Sequence, residues 1–254
     1  MLDSLTIELA TIVGLVGGML LATELCYRAG RWQAQRTTAD KAQLGTIQGA
    51  ILALLGLLLG FSFSGAATRF VDRQDHIVEE ANAIGTAYLR ADLLPPAHRD
   101  ALQDCLRRYA TSRVRWFVDY TPARYPELAS ETASLHNEMW QAALAGIQET
   151  PQFAVTVLPP INDVIDLHTS RIAAGRRHML VLIVVMLFIC ALIAMATVGY
   201  GCGLDGHRAT TLTSALCLLV ATVLWITIDL DYPRDGLIRI DQQPILEALE
   251  SLGN

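Results

Sequence analysis

The chain is 254 residues long, 52% hydrophobic and only 17% charged, with a mean hydropathy of +0.36. That balance excludes an ordinary water-soluble domain. The net charge of −6 is spread along the chain rather than gathered in a block, which gives no basis for a nucleic-acid partner.

Four stretches contain no Asp, Glu, Lys or Arg: residues 9–23, 42–68, 179–204 and 209–228. The last three are each long enough for the ~20 helical residues that cross a hydrocarbon core. The first reaches that length by running from about residue 5 to residue 25, with Glu8 and Glu24 at the two interfaces. A cleaved secretory signal would carry a basic start, and Asp3 and Glu8 stand there instead, so a retained helix is expected. The short loop after it carries Arg28, Arg31, Arg36 and Lys41, which favours a cytoplasmic position. The edges of the later polar region carry Arg69, Arg73, Arg171, Arg176 and Arg177, so both orientations stay open.

The second stretch has two distinct faces when wound at about 100° per residue. Gly45, Gly49, Gly56, Gly60 and Ala67 share one narrow sector, and Gly56-x-x-x-Gly60 is a spacing that lets helices approach closely in lipid. A packing seam is therefore expected at Gly49, Gly56 and Gly60, against a helix of this chain or of a neighbour. The adjoining sector holds Ala50, Leu57, Phe61, Ser64 and Thr68. Apolar side chains followed by hydroxyls on one face suit a pore that narrows and then widens into a wetter part. The other reading of the same residues is ordinary packing by Phe61, with Ser64 and Thr68 bonded back to their own helix.

Residues 69–178 form a polar region that reads as four helices. Ile77, Ala81, Ile84 and Tyr88 give the first an apolar stripe, and "LLPP" at 93–96 ends it. Leu102, Leu106, Tyr109, Trp116 and Tyr120 mark the second, which runs to the "TPARYP" turn. A third is expected over about 126–148, and a fourth from near Pro160 through Ile161, Ile165, His168 and Ile172. The first and fourth are expected to continue from the second and third spans without interruption. His76 and Glu80 stand at i, i+4, a spacing for two metal ligands, although a solvated face with Arg–Glu pairs explains them as well.

Further on, "GYGCG" at 199–203 lacks the context of an ion filter and reads as a loop. In the tail, "DLDYPRDGLIRIDQQP" holds Asp229, Asp231, Asp235 and Asp241 among Arg234 and Arg239. A calcium loop is one reading; a structural tail docked on the polar domain is the favoured one. "GLIRI" is the only β signal. Cysteines 26, 105, 190, 202 and 217 show no metal or redox spacing, and no nucleophile elbow, phosphate loop or zinc-protease motif occurs. Neither an enzyme nor a cofactor nor a metal site is expected.

Three segments, "GAILALLGLLLGFSFSGAATRF", "VEEANAIGTAYLRADLLP" and "DLDYPRDGLIRIDQQP", resemble the bacterial bestrophin-like membrane family and, more distantly, the bestrophin anion channels. The resemblance implies an oligomer, a pentamer in those channels, around the second span. It implies a neck at Ala53, Leu57 and Phe61, on the i, i+4, i+8 row of the face described above. The acidic cluster after the fourth span is thinned and mixed with Arg, which departs from the calcium-binding pattern of animal bestrophins.

The expectation is therefore an all-α integral membrane protein, with four transmembrane helices and a helical polar domain between the second and third. Its parts are residues 1–68, 69–178, 179–228 and 229–254. The function expected is an oligomeric, anion-conducting channel of the bacterial inner membrane, in contact with membrane lipid. Ala53, Leu57, Phe61, Ser64 and Thr68 would line the pore, and Arg69 and Arg73 would stand at its mouth. The alternative is a non-conducting scaffold or sensor whose helical domain, with Tyr88, Trp116, Phe117, Tyr120 and Trp140, binds a partner.

Overall fold

A computed structural model describes residues 2–34, 41–119, 121, 123–234 and 236–253, with side chains from residue 10 in the first stretch and from residue 43 in the second. Among the described residues eight α-helices follow one another: α1 (Leu2–Ala34), α2 (Lys41–Arg90), α3 (Pro96–Val118), α4 (Tyr125–Glu149), α5 (Ala154–Arg176), α6 (Val181–Asp205), α7 (Thr210–Asp231) and α8 (Gln243–Gly253). Among the described residues there is no strand, so "GLIRI" does not form one. Four helical segments among the described residues are long and apolar enough to cross a membrane.

The chain divides into two compact units: Met1–Phe70 with His178–Arg239, and Val71–Arg177 with Ile240–Asn254. The tail, read in the sequence as one piece, is shared between them.

In the first, apolar unit, Leu15 and Met19 of α1, Leu55 and Leu59 of α2, Ala191 and Met195 of α6, and Cys217 and Leu224 of α7 make one core. The tightest packing joins α1 to α6. A Cβ on Gly199 would overlap the Thr23 carbonyl oxygen, and one on Gly203 would overlap that of Tyr27. From the other side, a Cβ on Gly30 would overlap the carbonyl oxygen of Tyr200. "GYGCG" is thus helix rather than loop. Its outer glycines are the small-x-x-x-small pair that lets two backbones touch. Thr23 Oγ1 donates to the Met19 carbonyl at 2.8 Å and reaches the Met195 carbonyl of α6 at 3.3 Å. The helix stops at Gly206, whose φ of 74° is a left-handed conformation that favours glycine.

In the second, polar unit, Ile77, Ile84, Leu102, Leu106, Tyr109, Leu135, Met139, Ile161 and Val164 bring α2, α3, α4 and α5 around one core. Ile245 and Leu252 of α8 join it, and Arg107 Nε holds the Leu252 carbonyl at 2.6 Å. Gln74 makes two bonds with the backbone of Asp241, donating to its carbonyl at 3.0 Å and accepting its N–H at 2.9 Å.

α2 runs unbroken for 50 residues, as expected. The expected continuity of the fourth polar helix into the third span is corrected: α5 ends at Arg176 and α6 begins at Val181. The physical cause is a set of competing partners. Arg73 Nε and Nη2 take the carbonyls of Ala174 and Arg177, at 3.1 and 2.5 Å, capping α5. The Met179 N–H goes to Asp231 Oδ2 at 2.6 Å instead of a helical carbonyl. Gly175 weakens the helix just before the break.

α5 also starts earlier than Pro160, at Ala154, and so contains Pro159 and Pro160. Pro160 cannot donate to the carbonyl four residues back, that of Thr156. Arg90 Nη1 donates to it instead, at 2.9 Å.

Candidate functional site

α2 is held in the apolar unit along one side only. Leu55, Leu59 and Ala66 are buried, whereas Ala53, Leu57, Phe61, Ser64 and Thr68 are all exposed, Phe61 to 69%. Their spacing keeps them on a single face. Thr213, Thr222 and Thr227 of α7 donate to the carbonyl four residues back. Ser64 and Thr68 make no such bond among the described residues. Gly49, Gly56 and Gly60 are exposed as well, and a Cβ on any of them would meet open space within this chain.

The two mouth arginines have partners. Arg69 Nε lies 2.7 Å from Asp231 Oδ1, with its side chain part-exposed. Arg73 is 5% exposed and spends its guanidinium on the end of α5. In the tail, Asp229 accepts the N–H groups of Leu237 and Ile238 at 3.0 and 2.8 Å, while Asp231 serves Arg69 and Met179. Asp235 lies outside the described residues. Asp229 and Asp231 therefore act as backbone and ion-pair anchors.

His76 and Glu80 face different surroundings: His76 Nδ1 is 3.0 Å from Glu79, while Glu80 is fully buried. No group of three metal-ligating side chains occurs among the described residues.

Glu80 instead centres a charge cluster of the polar unit. Arg113 Nε is 2.7 Å from Glu80 Oε1, Arg171 Nη1 2.5 Å from Oε2, and the Tyr109 hydroxyl donates to Oε1 at 2.6 Å. Burial pushes the Glu80 carboxyl up, but the Arg113 and Arg171 charges and the Tyr109 bond outweigh it and hold the group at about 2. Burial and the Glu80 charge raise the Tyr109 phenol well above its usual range. His136 and His168 sit beside this cluster with ring centroids 5.1 Å apart. Burial, then the Arg113 charge, lowers them to about 4 and about 3.

The sequence contains the signal for this cluster. Arg113 falls on the stripe of Leu102, Leu106, Tyr109 and Trp116, and Glu80 lies one turn from Ile77 and Ile84. Charged residues at core positions are expensive unless paired, which marks them as partners of one another.

The Bestrophin-like domain family matches residues 13–245, nearly the whole chain. The chain belongs to the Bestrophin-like family. No curated protein and no solved structure matches it. With four apolar helices, a Bestrophin-like chain reads as a multi-pass membrane protein.

Proposed function

We propose that this Bestrophin-like chain forms a homo-oligomeric channel of the bacterial inner membrane, passing inorganic anions along a pore lined by α2. One observation carries the reading: Ala53, Leu57, Phe61, Ser64 and Thr68 form an exposed row on a helix anchored by its opposite side. Repeated around a symmetry axis, Leu57 and Phe61 make an apolar ring narrow enough to exclude bulk water. Ser64 and Thr68 supply hydroxyls to an ion that has shed part of its hydration. Anion preference is supported by the family; Arg69, just beyond Thr68, is paired with Asp231 and adds little to it. Arg73, buried as a helix cap, contributes no charge to this face.

Native mass in mild detergent is the first test. A pentamer supports the pore; a monomer or dimer leaves no central neck and returns the scaffold reading. Chloride flux from proteoliposomes is the second. Phe61→Ala is expected to raise flux or relax ion selectivity, and unchanged behaviour removes Phe61 from the neck.

A further inference from the structure

Around the buried Glu80 the polar unit gathers more positive charge than negative, from the buried Arg113 and the part-buried Arg171. Glu80 is the carboxylate shared by Arg113 and Arg171, so two guanidiniums meet one negative charge. Arg171 gives its second nitrogen to the neutral Gln242 Oε1 at 2.6 Å. Arg113 is 2% exposed, and although its Nε lies close to Glu80 the geometry is not that of a hydrogen bond. Among the described residues neither its Nε nor its Nη1 has a hydrogen-bond partner.

Two further buried nitrogens beside it are also unmet: Nε2 of His136 and Nδ1 of His168. The groups belong to three helices, α3, α4 and α5, and their rings adjoin. Tyr109 and His136 are 5.3 Å apart, Trp116 and His168 5.9 Å, and the Arg113 guanidinium carbon lies 5.5 Å from the Trp116 ring. Trp116 Nε1 is itself committed to Thr132.

The charge of the neighbours selects the ligand. Two guanidiniums repel a metal cation, and a pair of imidazoles is too few ligands to hold one against that repulsion. Each neutral imidazole can choose the tautomer that presents N–H at its unmet nitrogen. A buried water would answer the donors but leave the surplus positive charge. A small anion answers both.

We propose that Arg113, His136 and His168 bind a monovalent anion of halide size inside the polar unit. The site is independent of the pore reading, because none of its residues lies on the exposed face of α2. A bound anion ties α3, α4 and α5 together, so halide concentration sets the stability of the polar unit.

The test uses the full-length protein in mild detergent near neutral pH, replacing sodium gluconate stepwise by sodium bromide at fixed ionic strength. The unfolding midpoint is expected to rise and saturate. The rise is expected to vanish in His168→Gln and to persist in Phe61→Ala. A flat titration overturns the site, and so does a rise lost in Phe61→Ala but kept in His168→Gln. Should His168→Gln not fold, crystals of the unaltered protein grown in bromide decide. Anomalous density among Arg113, His136 and His168 supports the site, and its absence there overturns it.

Discussion

The two units join their helices by opposite means. In the apolar unit, α1 and α6 meet through glycines, with backbone against backbone at Gly30, Gly199 and Gly203. In the polar unit, α2, α3 and α5 meet through the buried Glu80 and Arg113 and the part-buried Arg171. The difference follows from the surroundings. Lipid tails are as apolar as Leu, so helices within them gain little by burying more Leu and gain instead by close approach. In water the hydrophobic effect already gathers Ile77, Leu106 and Met139, and a buried ion triad adds a geometric requirement to the core.

Four experiments test that contrast. Gly203→Leu should have the largest effect, because the new side chain meets backbone that cannot yield. Loss of folded protein on size-exclusion chromatography is expected, and a normal profile would remove the glycine seam. Glu80→Ala comes next. It leaves two guanidiniums without their carboxylate, which costs about 3–5 kcal/mol when one partner of a buried pair is removed. Denaturant unfolding of the purified protein measures it.

Acid should then separate the units. Glu80 is held below its ordinary value, so its contribution is complete above about 4.5 and is lost as pH falls towards about 2. His136 and His168 are also depressed, from 6.5 to about 4 and about 3, so the unfolded chain takes up protons before the folded one. All three shifts have one sign: the polar unit weakens progressively below pH 6.5. Amide protection in α3–α5 should fall there well before that of α1 and α6. His168→Phe should reduce the slope between pH 6.5 and 4. Equal loss of protection in both units would contradict the contrast.

The smallest effect on the single chain is expected from Gly60→Leu, where a new side chain meets open space. Folding and monomer stability should be nearly unchanged. The proposed oligomer should be weakened, as read from native mass.

These glycines also show how far the sequence could be read. Small-x-x-x-small spacing is visible at Gly56 and Gly60 and again at Gly199 and Gly203, but spacing alone does not say whether a partner lies in the same chain. The pair that is packed within the chain stood in "GYGCG", which loop-like composition disguised. The 50-residue α2 was legible because apolar periodicity continues from Ile51 to Ile84 with no proline. The break after α5 was not, since it depends on Arg73 and Asp231, distant in sequence from the residues they bind. For the candidate pore face, the sector holding Leu57, Phe61, Ser64 and Thr68 could be drawn from helix geometry. Its exposure depends on which side of α2 the other helices take. The buried cluster was legible only as charges on apolar stripes, and pairing them needed three helices in place.

The bond from Arg90 to the Thr156 carbonyl has an evolutionary consequence. It supplies the donor that Pro160 lacks, so the two positions are not free to drift separately. A lineage that first exchanged Pro160 for alanine would regain the backbone N–H and could then lose Arg90 with little harm. A lineage that lost Arg90 first would strand a carbonyl. The order of substitutions, and not only their sum, decides which relatives of this chain are reachable.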